Sequence, residues 1–168
     1  RLFDCELMLK REDLQVVRSY KIRGAYNKMA SFEEAARKQG VICASAGNHA
    51  QGVAYSCQKM QVYGKIFMPA TTPRQKVDKV ILFGKEFVEI ELVGDTFDDA
   101  YEAARAEADQ SGALFIHPFD DPAIIAGQAT VGKEVLEQTS KPIDYIFVPI
   151  GGGGLASGLG SYFKHLSP

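Results

Sequence analysis

Short apolar runs alternate with longer amphipathic stretches along almost the whole chain. The short runs have the length and β-branched content of buried strands, whereas the longer stretches have the period of helices. The predicted strands are 7–10, 41–45, 64–68, 87–93, 114–116 and 145–150. The predicted helices are 21–29, 31–37, 48–60, 73–83, 97–109 and 122–138, with a further helix beginning near Leu155. Such alternation is typical of βαβ units, so the pattern predicts an α/β fold with a mainly parallel sheet.

Polar residues stand at several of the predicted helix starts, where they are expected to accept hydrogen bonds from unpaired N–H groups. Ser31 and Glu34 have the spacing of a capping box. Thr72 and Thr96 each precede a helix, and Pro73 suits a first helical turn. These residues support the predicted boundaries.

The composition is that of an ordinary folded domain, with 46% hydrophobic and 24% charged residues. The 19 basic and 21 acidic side chains give a net charge of −2 without a basic stripe, so nucleic acid is not an expected partner. No apolar run approaches the length of a membrane span, and no signal-peptide pattern is present. Cys5, Cys43 and Cys57 are odd in number and widely spaced. We therefore expect a cytoplasmic protein with reduced thiols, no metal site and no membrane partner.

Four consecutive glycines at residues 151–154 follow the predicted strand 145–150 and precede a helix. Residues without Cβ atoms let successive backbone N–H groups converge beside the positive end of a helix dipole. This arrangement favours a phosphate site. A flexible linker is the alternative, but linkers rarely lie between a β-branched strand and an apolar helix.

A second candidate anion site is Ser-Ala-Gly-Asn-His-Ala-Gln-Gly at residues 45–52, between a strand and a helix. Ser45 and Asn48 can cap the helix, and Gly47 permits a tight turn that leaves N–H groups free. A well-capped turn without a ligand is the alternative, and it leaves His49 unexplained. His49 could equally be a satisfied histidine at a helix terminus.

Lys21 stands at a predicted helix start, although cations favour the opposite end of a helix. Loss of its proton would relieve the conflict, and a neutral lysine is the form that makes a Schiff base with a carbonyl. The alternative is an ordinary solvated lysine. Together, two anion sites and this lysine suggest a ligand with a phosphate, a carboxylate and an aldehyde.

These motifs resemble those of threonine dehydratases, which are pyridoxal-phosphate enzymes of the tryptophan-synthase-β fold type. The resemblance rests on Ser-Tyr-Lys-Ile-Arg-Gly-Ala, Ser-Ala-Gly-Asn-His-Ala-Gln-Gly and Gly-Gly-Gly-Gly-Leu in this order and approximate spacing. It covers essentially the whole chain and includes residues 71–77, 94–97 and 118–122. The stretch at 71–77 looks more like the biosynthetic branch than the catabolic one.

The resemblance implies roles for individual residues. Lys21 would hold pyridoxal 5′-phosphate as a Schiff base and later remove the Cα proton of the substrate. The Asn48 side chain would bind the phenolic oxygen of the cofactor. Backbone N–H groups would bind the substrate carboxylate at Ser45, Gly47, Asn48 and His49. The cofactor phosphate would be held by Gly151, Gly152, Gly153, Gly154 and Leu155.

The resemblance also implies an architecture and an activity. A two-lobed, three-layer αβα fold would comprise an incomplete large lobe, 1–40 and 118–168, and a small lobe, 41–117, with a four-stranded parallel sheet. The reaction would be β-elimination of L-threonine or L-serine to 2-oxobutanoate or pyruvate plus ammonia, the first step of isoleucine biosynthesis. We expect a fragment of a longer lyase, and a homo-oligomer in the full-length enzyme.

Other functions stay open at this point. Serine racemases and some serine dehydratases look similar but place a serine at the position of Ala46, which has no proton to give, so elimination is expected over racemisation. A cysteine synthase would share the fold type. A dinucleotide-binding module is a weaker alternative, because no Gly-x-Gly-x-x-Gly stands in the right context. The last alternative is a folded fragment without catalytic activity.

Overall fold

The computed structural model describes residues 4–166, which form one parallel sheet flanked by helices. The strands are β1 (Val41–Ala44), β2 (Gly64–Met68), β3 (Val88–Leu92) and β4 (Leu114–Phe115). The helices are α1 (Lys21–Ala30), α2 (Glu34–Arg37), α3 (Asn48–Met60), α4 (Arg74–Gly84), α5 (Phe97–Ser111), α6 (Pro122–Gln138) and α7 (Gly154–Leu166). Two 3₁₀ turns cover Glu12–Leu14 and Lys85–Phe87.

All strand pairs are parallel, and the order across the sheet is β3-β2-β1-β4. In register, Val41 lies opposite Gly64 of β2 on one side and Leu114 of β4 on the other. β1 and β2 are therefore central, and their continuous apolar sequences fit strands that are covered on both faces. The predicted α/β class and parallel sheet are confirmed.

Alternate residues of the central strands supply two separate cores. Val41 and Cys43 face a core with residues of α1, α3 and α4. Ile42 and Ala44 face α5, which presents alanines at positions 100, 104 and 108. Because alanine spacing at every fourth residue forms one narrow stripe, α5 packs closely on the sheet. The result is the predicted three-layer αβα arrangement.

A third group of helices, α1, α6 and α7, packs beside the sheet with glycines at the crossings. A Cβ on Gly127 of α6 would lie 2.6 Å from Arg23 O and 2.7 Å from Gly24 Cα of α1. A Cβ on Gly158 of α7 would lie 2.6 Å from Ile125 O of α6. These glycines allow the backbone of α6 to approach those of α1 and α7 directly.

Two predicted strands are wrong: residues 7–10 and 145–150 form no strand. Within the described chain neither segment has a neighbouring strand, and an extended segment without a partner cannot form ladder hydrogen bonds. Tyr145 and Phe147 leave most of their surface to solvent, 83% and 89% respectively, although Val148 packs on α6 and α7.

Of the caps predicted at Thr96, Ser31 and Thr72, the one at Thr96 is correct and the other two are wrong. Thr96 and Asp99 form a capping box at α5, and Asp121 accepts from the N–H groups of Ala123 and Ile124 at α6. α2 begins at Glu34 after Glu33, without a box on Ser31. Pro73 occupies the N-cap position of α4, and the buried Thr72 hydroxyl has no partner among the described residues.

No helix within residues 4–166 is long and apolar enough to span a bilayer. The division into lobes 1–40 with 118–168 and 41–117 stays a prediction, although the sheet is formed entirely by the middle segment.

Candidate functional site

The order of the strands predicts a ligand site at the carboxyl ends of β1 and β4. The chain runs outward from β1 through β2 to β3 and then returns to β4 on the other side of β1. In open parallel sheets, the loops after two such strands separate and leave a crevice where ligands bind. Here these loops are residues 45–47 after β1 and residues 116–121 after β4.

Lys21 reaches this crevice from the first turn of α1. Its Nζ donates to Pro118 O at 2.7 Å and lies 5.8 Å from the centre of the Phe119 ring. Tyr20 flanks the amine on the other side, with its ring centre at 5.7 Å. Burial lowers the pKa of Lys21, since desolvation disfavours the ammonium form. The side chain is thus held in a partly dry environment and is not a freely solvated lysine.

The start of α3 lies against the start of α1. A Cβ on Gly52 would be 3.2 Å from Ile22 N and from Lys21 O, so a larger residue would crowd this close approach. The first turn of α3, which begins at Asn48, is thereby brought to the same side of the molecule as Lys21.

Ser45 and Asn48 do not cap α3, and that prediction is wrong. The Ser45 hydroxyl instead accepts from Gly47 N–H at 3.1 Å, while Asn48 is exposed. The first helix-type hydrogen bond runs from Gln51 N–H to Gly47 O at 3.3 Å. The N–H groups of the first turn, at Asn48 and His49, are therefore left for another acceptor.

His49 is buried and its side chain is satisfied internally. Nε2 donates to Ile116 O at 2.9 Å, which requires the tautomer with the proton on Nε2. The pKa of His49 is lowered to about 4: burial is the largest cause, the Ile116 hydrogen bond opposes it, and the charges of Lys21 and His117 add to the lowering. The imidazole is neutral at pH 7, and it ties the loop after β1 to the loop after β4.

The four glycines form a turn that opens onto solvent at Gly151 and Gly153, where an added Cβ would meet nothing. Gly153 has a φ of +87°, a conformation that glycine adopts without strain. A Cβ on Gly152 would overlap the Phe119 ring, and one on Gly154 would lie 2.9 Å from Phe119 O. Ser157 N–H donates to Gly153 O at 2.8 Å, so the N–H groups at the start of α7 are unpaired in the helix.

Residues 116–119 connect all three predicted site segments, and we refer to them as the 116–119 turn. Its Ile116 carbonyl accepts from His49, and its Pro118 carbonyl accepts from Lys21. Its Phe119 ring lies under Gly152. The structure therefore brings Lys21, the 45–49 segment and the glycine turn together around one short stretch of backbone.

Sequence reasoning missed the residues of the 116–119 turn as parts of the site. The available signal was position, because this segment directly follows the predicted strand 114–116 and such loops line the ligand crevice of parallel sheets. His117 was a second signal, because a histidine in such a loop is a candidate for hydrogen bonding or proton transfer.

The residues present fit a phosphorylated aldehyde. The glycine turn provides a cradle that Cβ atoms would fill, followed by unpaired N–H groups at a helix start, which suits a phosphate. A partly buried amine with a lowered pKa suits a carbonyl group. A second set of N–H groups at the start of α3 suits a carboxylate.

Comparison with known proteins agrees with this fit. A family model described as pyridoxal-phosphate dependent enzyme matches residues 1–168. A biosynthetic L-threonine dehydratase of Halalkalibacterium halodurans is 57% identical over 166 residues, which are 99% of this chain and 40% of that protein. The corresponding enzyme of Bacillus subtilis is 55% identical over 166 residues, 99% of this chain and 39% of that protein. The chain thus spans about 40% of the length of these relatives.

Solved structures are similar over nearly the whole chain. The processed form of threonine deaminase isoform 2 from Solanum lycopersicum is 46% identical with a TM-score of 0.90, covering 95% of this chain and 43% of that one. Maize serine racemase is 34% identical with a TM-score of 0.88, covering 95% of this chain and 47% of the racemase chain.

Proposed function

The chain belongs to the pyridoxal-phosphate dependent enzyme family, and we propose that it carries the cofactor lysine and the phosphate-binding turn of a threonine ammonia-lyase. The proposed reaction converts L-threonine to 2-oxobutanoate and ammonia, and L-serine to pyruvate and ammonia. The observation that carries the proposal is the convergence of Lys21 and the glycine turn on Phe119. The names of the bacterial relatives support the choice of substrate.

Pyridoxal phosphate, when bound, withdraws electrons from the Cα atom of an attached amino acid, so that its proton is acidic and a β-hydroxyl can leave. The chain's own residues supply orientation and proton transfer. The N–H groups at residues 151–155 are proposed to hold the phosphate, beside the positive end of α7.

Lys21 is proposed to bind the cofactor aldehyde and later to take the Cα proton. Burial favours its neutral amine, which is the form required for both roles. Lys21 Nζ donates to Pro118 O, a neutral carbonyl, so the amine can exchange this partner for a ligand without leaving a carboxylate unpaired.

The substrate carboxylate is proposed to bind at the start of α3. Ser45, Gly47, Asn48 and His49 are the proposed donors, but the Ser45 N–H already donates to Phe67 O at 3.0 Å and the Gly47 N–H to the Ser45 hydroxyl. The N–H groups of Asn48 and His49 are thus the more available pair. The exposed Asn48 side chain is proposed to bind the phenolic oxygen of the cofactor.

Elimination is proposed over racemisation because of Ala46. Racemisation requires a proton donor on the face of Cα opposite Lys21, and a methyl group cannot supply one. With L-serine we expect pyruvate and no D-serine, and we expect measurable racemase activity from Ala46→Ser. D-serine formed by the unmodified protein would contradict this assignment. Maize serine racemase, which is structurally similar to this chain, is a suitable reference enzyme for this racemisation assay.

Several broader assignments are proposals of the same kind. We infer a biosynthetic role and an amino-acid substrate from the relatives' names. The isoleucine pathway, a cytoplasmic location and a homo-oligomeric assembly are proposed from the resemblance to threonine dehydratases. We also propose that 1–40 with 118–168 and 41–117 act as two lobes whose approach excludes water from the crevice.

Borohydride trapping tests the central proposal. Pyridoxal phosphate is titrated into the chain while aldehyde-amine absorbance is followed, and the adduct is then reduced and located by peptide mass spectrometry. We expect the label on Lys21, and we expect no absorbance change with Lys21→Ala. Lys59→Ala is the matched control, because Lys59 is an exposed lysine on α3. A label spread over surface lysines would rule the proposal out.

A further inference from the structure

We propose that His117 is a positioning residue that holds the 116–119 turn against Lys21 and the glycine turn through the unprotonated Nδ1 atom of its ring. Nδ1 accepts from Asp120 N–H at 2.7 Å and from Phe119 N–H at 3.2 Å. A ring nitrogen that accepts cannot carry a proton, so the neutral imidazole has its hydrogen on Nε2. This inference rests on the proposed function for its consequence, because the segments it aligns are the proposed cofactor site.

The two hydrogen bonds fix a turn that carries two contacts of the site. Pro118 O, between the donor residues and the histidine, accepts from Lys21 Nζ at 2.7 Å. The Phe119 ring lies under Gly152, where no Cβ could fit, and 5.8 Å from the Lys21 amine. If the Phe119 and Asp120 N–H groups lose their acceptor, both the amine and the glycine turn lose a fixed neighbour.

The His117 ring occupies an aromatic, half-buried position. Its centre lies 4.9 Å from the Phe119 ring, 6.2 Å from the Tyr101 ring of α5 and 6.5 Å from the Phe115 ring of β4. The edge-on approach of Phe119 and Tyr101 limits rotation of the ring. Packing therefore holds Nδ1 toward the turn, where a solvated histidine would be free to rotate away.

Charged groups from three elements act on this ring. Burial lowers the pKa of His117, Arg105 of α5 and Lys21 of α1 lower it further, and Asp120 and Asp121 of its own loop oppose the shift. The net direction favours the neutral ring. The folded pKa lies below the unfolded value of about 6.5, so the acceptor is present at pH 7 and is lost as the pH falls through the folded pKa.

Two substitutions at residue 117 distinguish the role of the hydrogen-bond acceptor from the role of the ring volume. In His117→Asn, the amide oxygen can accept from the N–H groups two and three residues on, as in an Asx-turn, and it does not titrate. His117→Leu keeps much of the apolar volume and removes the acceptor. Asp121 makes the same type of contact with Ala123 and Ile124 one turn later, which shows that an oxygen suits this geometry.

Amide hydrogen exchange and nitrogen chemical shifts measure the hydrogen bonds without any cofactor. In the unmodified chain at pH 7, we expect His117 ring shifts of the Nε2–H tautomer and slow exchange at Phe119 and Asp120. In His117→Leu these two amides should exchange about 5-fold faster, as expected for loss of a hydrogen bond of about 1 kcal/mol each, while Ile66 in the core stays protected. A Nδ1–H tautomer, or unchanged exchange in His117→Leu, would overturn the proposal.

Cofactor affinity and its pH dependence supply the second readout. We expect His117→Leu to weaken pyridoxal phosphate binding at pH 7.5 by about 5-fold to 10-fold, the range that one lost hydrogen bond allows. His117→Asn should retain the affinity at pH 7.5. It should also lack the decline in affinity that we expect of the unmodified chain as the pH falls through the folded pKa of His117, which lies below the ordinary value. Equal weakening by both variants would reject the acceptor role.

The two proposals fail in different ways. If pyridoxal phosphate does not label Lys21, the proposed function fails, and the tautomer and exchange measurements still decide whether His117 fixes the turn. If labelling succeeds while the exchange rates at Phe119 and Asp120 are the same in His117→Leu as in the unmodified chain, only the positioning role is rejected. The tautomer measurement needs no variant, so it remains decisive if His117→Leu does not fold.

Discussion

Buried charge is concentrated on Arg23, two residues after the proposed cofactor lysine. Its guanidinium makes paired hydrogen bonds of 2.8 Å to both oxygens of Glu12 and bonds of 2.7 and 2.8 Å to Glu134. Hydrogen bonds from Arg23, followed by those from Lys10, hold the pKa of Glu134 at about 2 against the effect of burial. The network ties the N-terminal segment and α6 to the first turn of α1.

We expect Arg23→Met to lower the free energy of unfolding by about 3 kcal/mol at pH 7, because it leaves the partly buried Glu12 carboxylate without a cation and Glu134 with Lys10 alone. Urea unfolding measures the loss. Arg74→Met is the matched control, since Arg74 pairs with Asp78 on an exposed helix surface and should cost under about 0.5 kcal/mol. Adding Glu134→Gln to Arg23→Met should recover part of the loss, and no recovery would contradict the pairing.

His49 makes stability depend on pH on the acid side. Its pKa is about 4 when folded, and about 6.5 is expected when unfolded, so its contribution is complete above pH 6.5 and is lost as the pH falls toward 4. The contribution is on the order of 3 kcal/mol. In His49→Gln, proton uptake on unfolding near pH 5 should fall by about one proton, measured from urea unfolding across this range. An unchanged slope would mean that His49 is charged in the folded protein.

At the scale of elements, α6 packs against the backbone of α1 at Gly127. We expect Gly127→Ala to destabilise the protein by about 2 kcal/mol, because its methyl group would press on the backbone of Arg23 and Gly24. Gly160→Ala in α7 is the matched control, since an added Cβ there meets nothing and alanine favours a helix by about 1 kcal/mol. Thermal unfolding compares the stabilities of the two variants. A stabilising Gly127→Ala would contradict the close helix crossing at this residue.

At the scale of the whole molecule, the segment 145–150 presents apolar side chains to solvent. Tyr145, Phe147 and Ile150 are 83%, 89% and 75% exposed within this one short segment. Exposed apolar side chains favour association in water. We expect Phe147→Ser with Ile150→Ser to reduce dye binding and concentration-dependent association, measured by sedimentation velocity. Tyr63→Ser, at an isolated exposed aromatic, is the control and should change neither.

Local chemistry was enough to predict most elements. The bounds of α3, β2 and α6 agree with prediction because their periodicity and flanking residues are visible in sequence. The strand 145–150 was wrong because a strand depends on a partner that sequence pattern does not specify. The caps at Ser31 and Thr72 were wrong because residue type permits a hydrogen bond without requiring it.

The sequence by itself determined the α/β class, the parallel sheet and the three segments with candidate chemistry, because strand runs, helix periods and glycine turns are properties of neighbouring residues. Only the tertiary structure decided that these segments meet at the 116–119 turn. That meeting depends on β4 lying beside β1, a pairing between residues far apart in the chain. The environment of His117 follows from the same pairing, because its ring is packed by residues from α5 and β4.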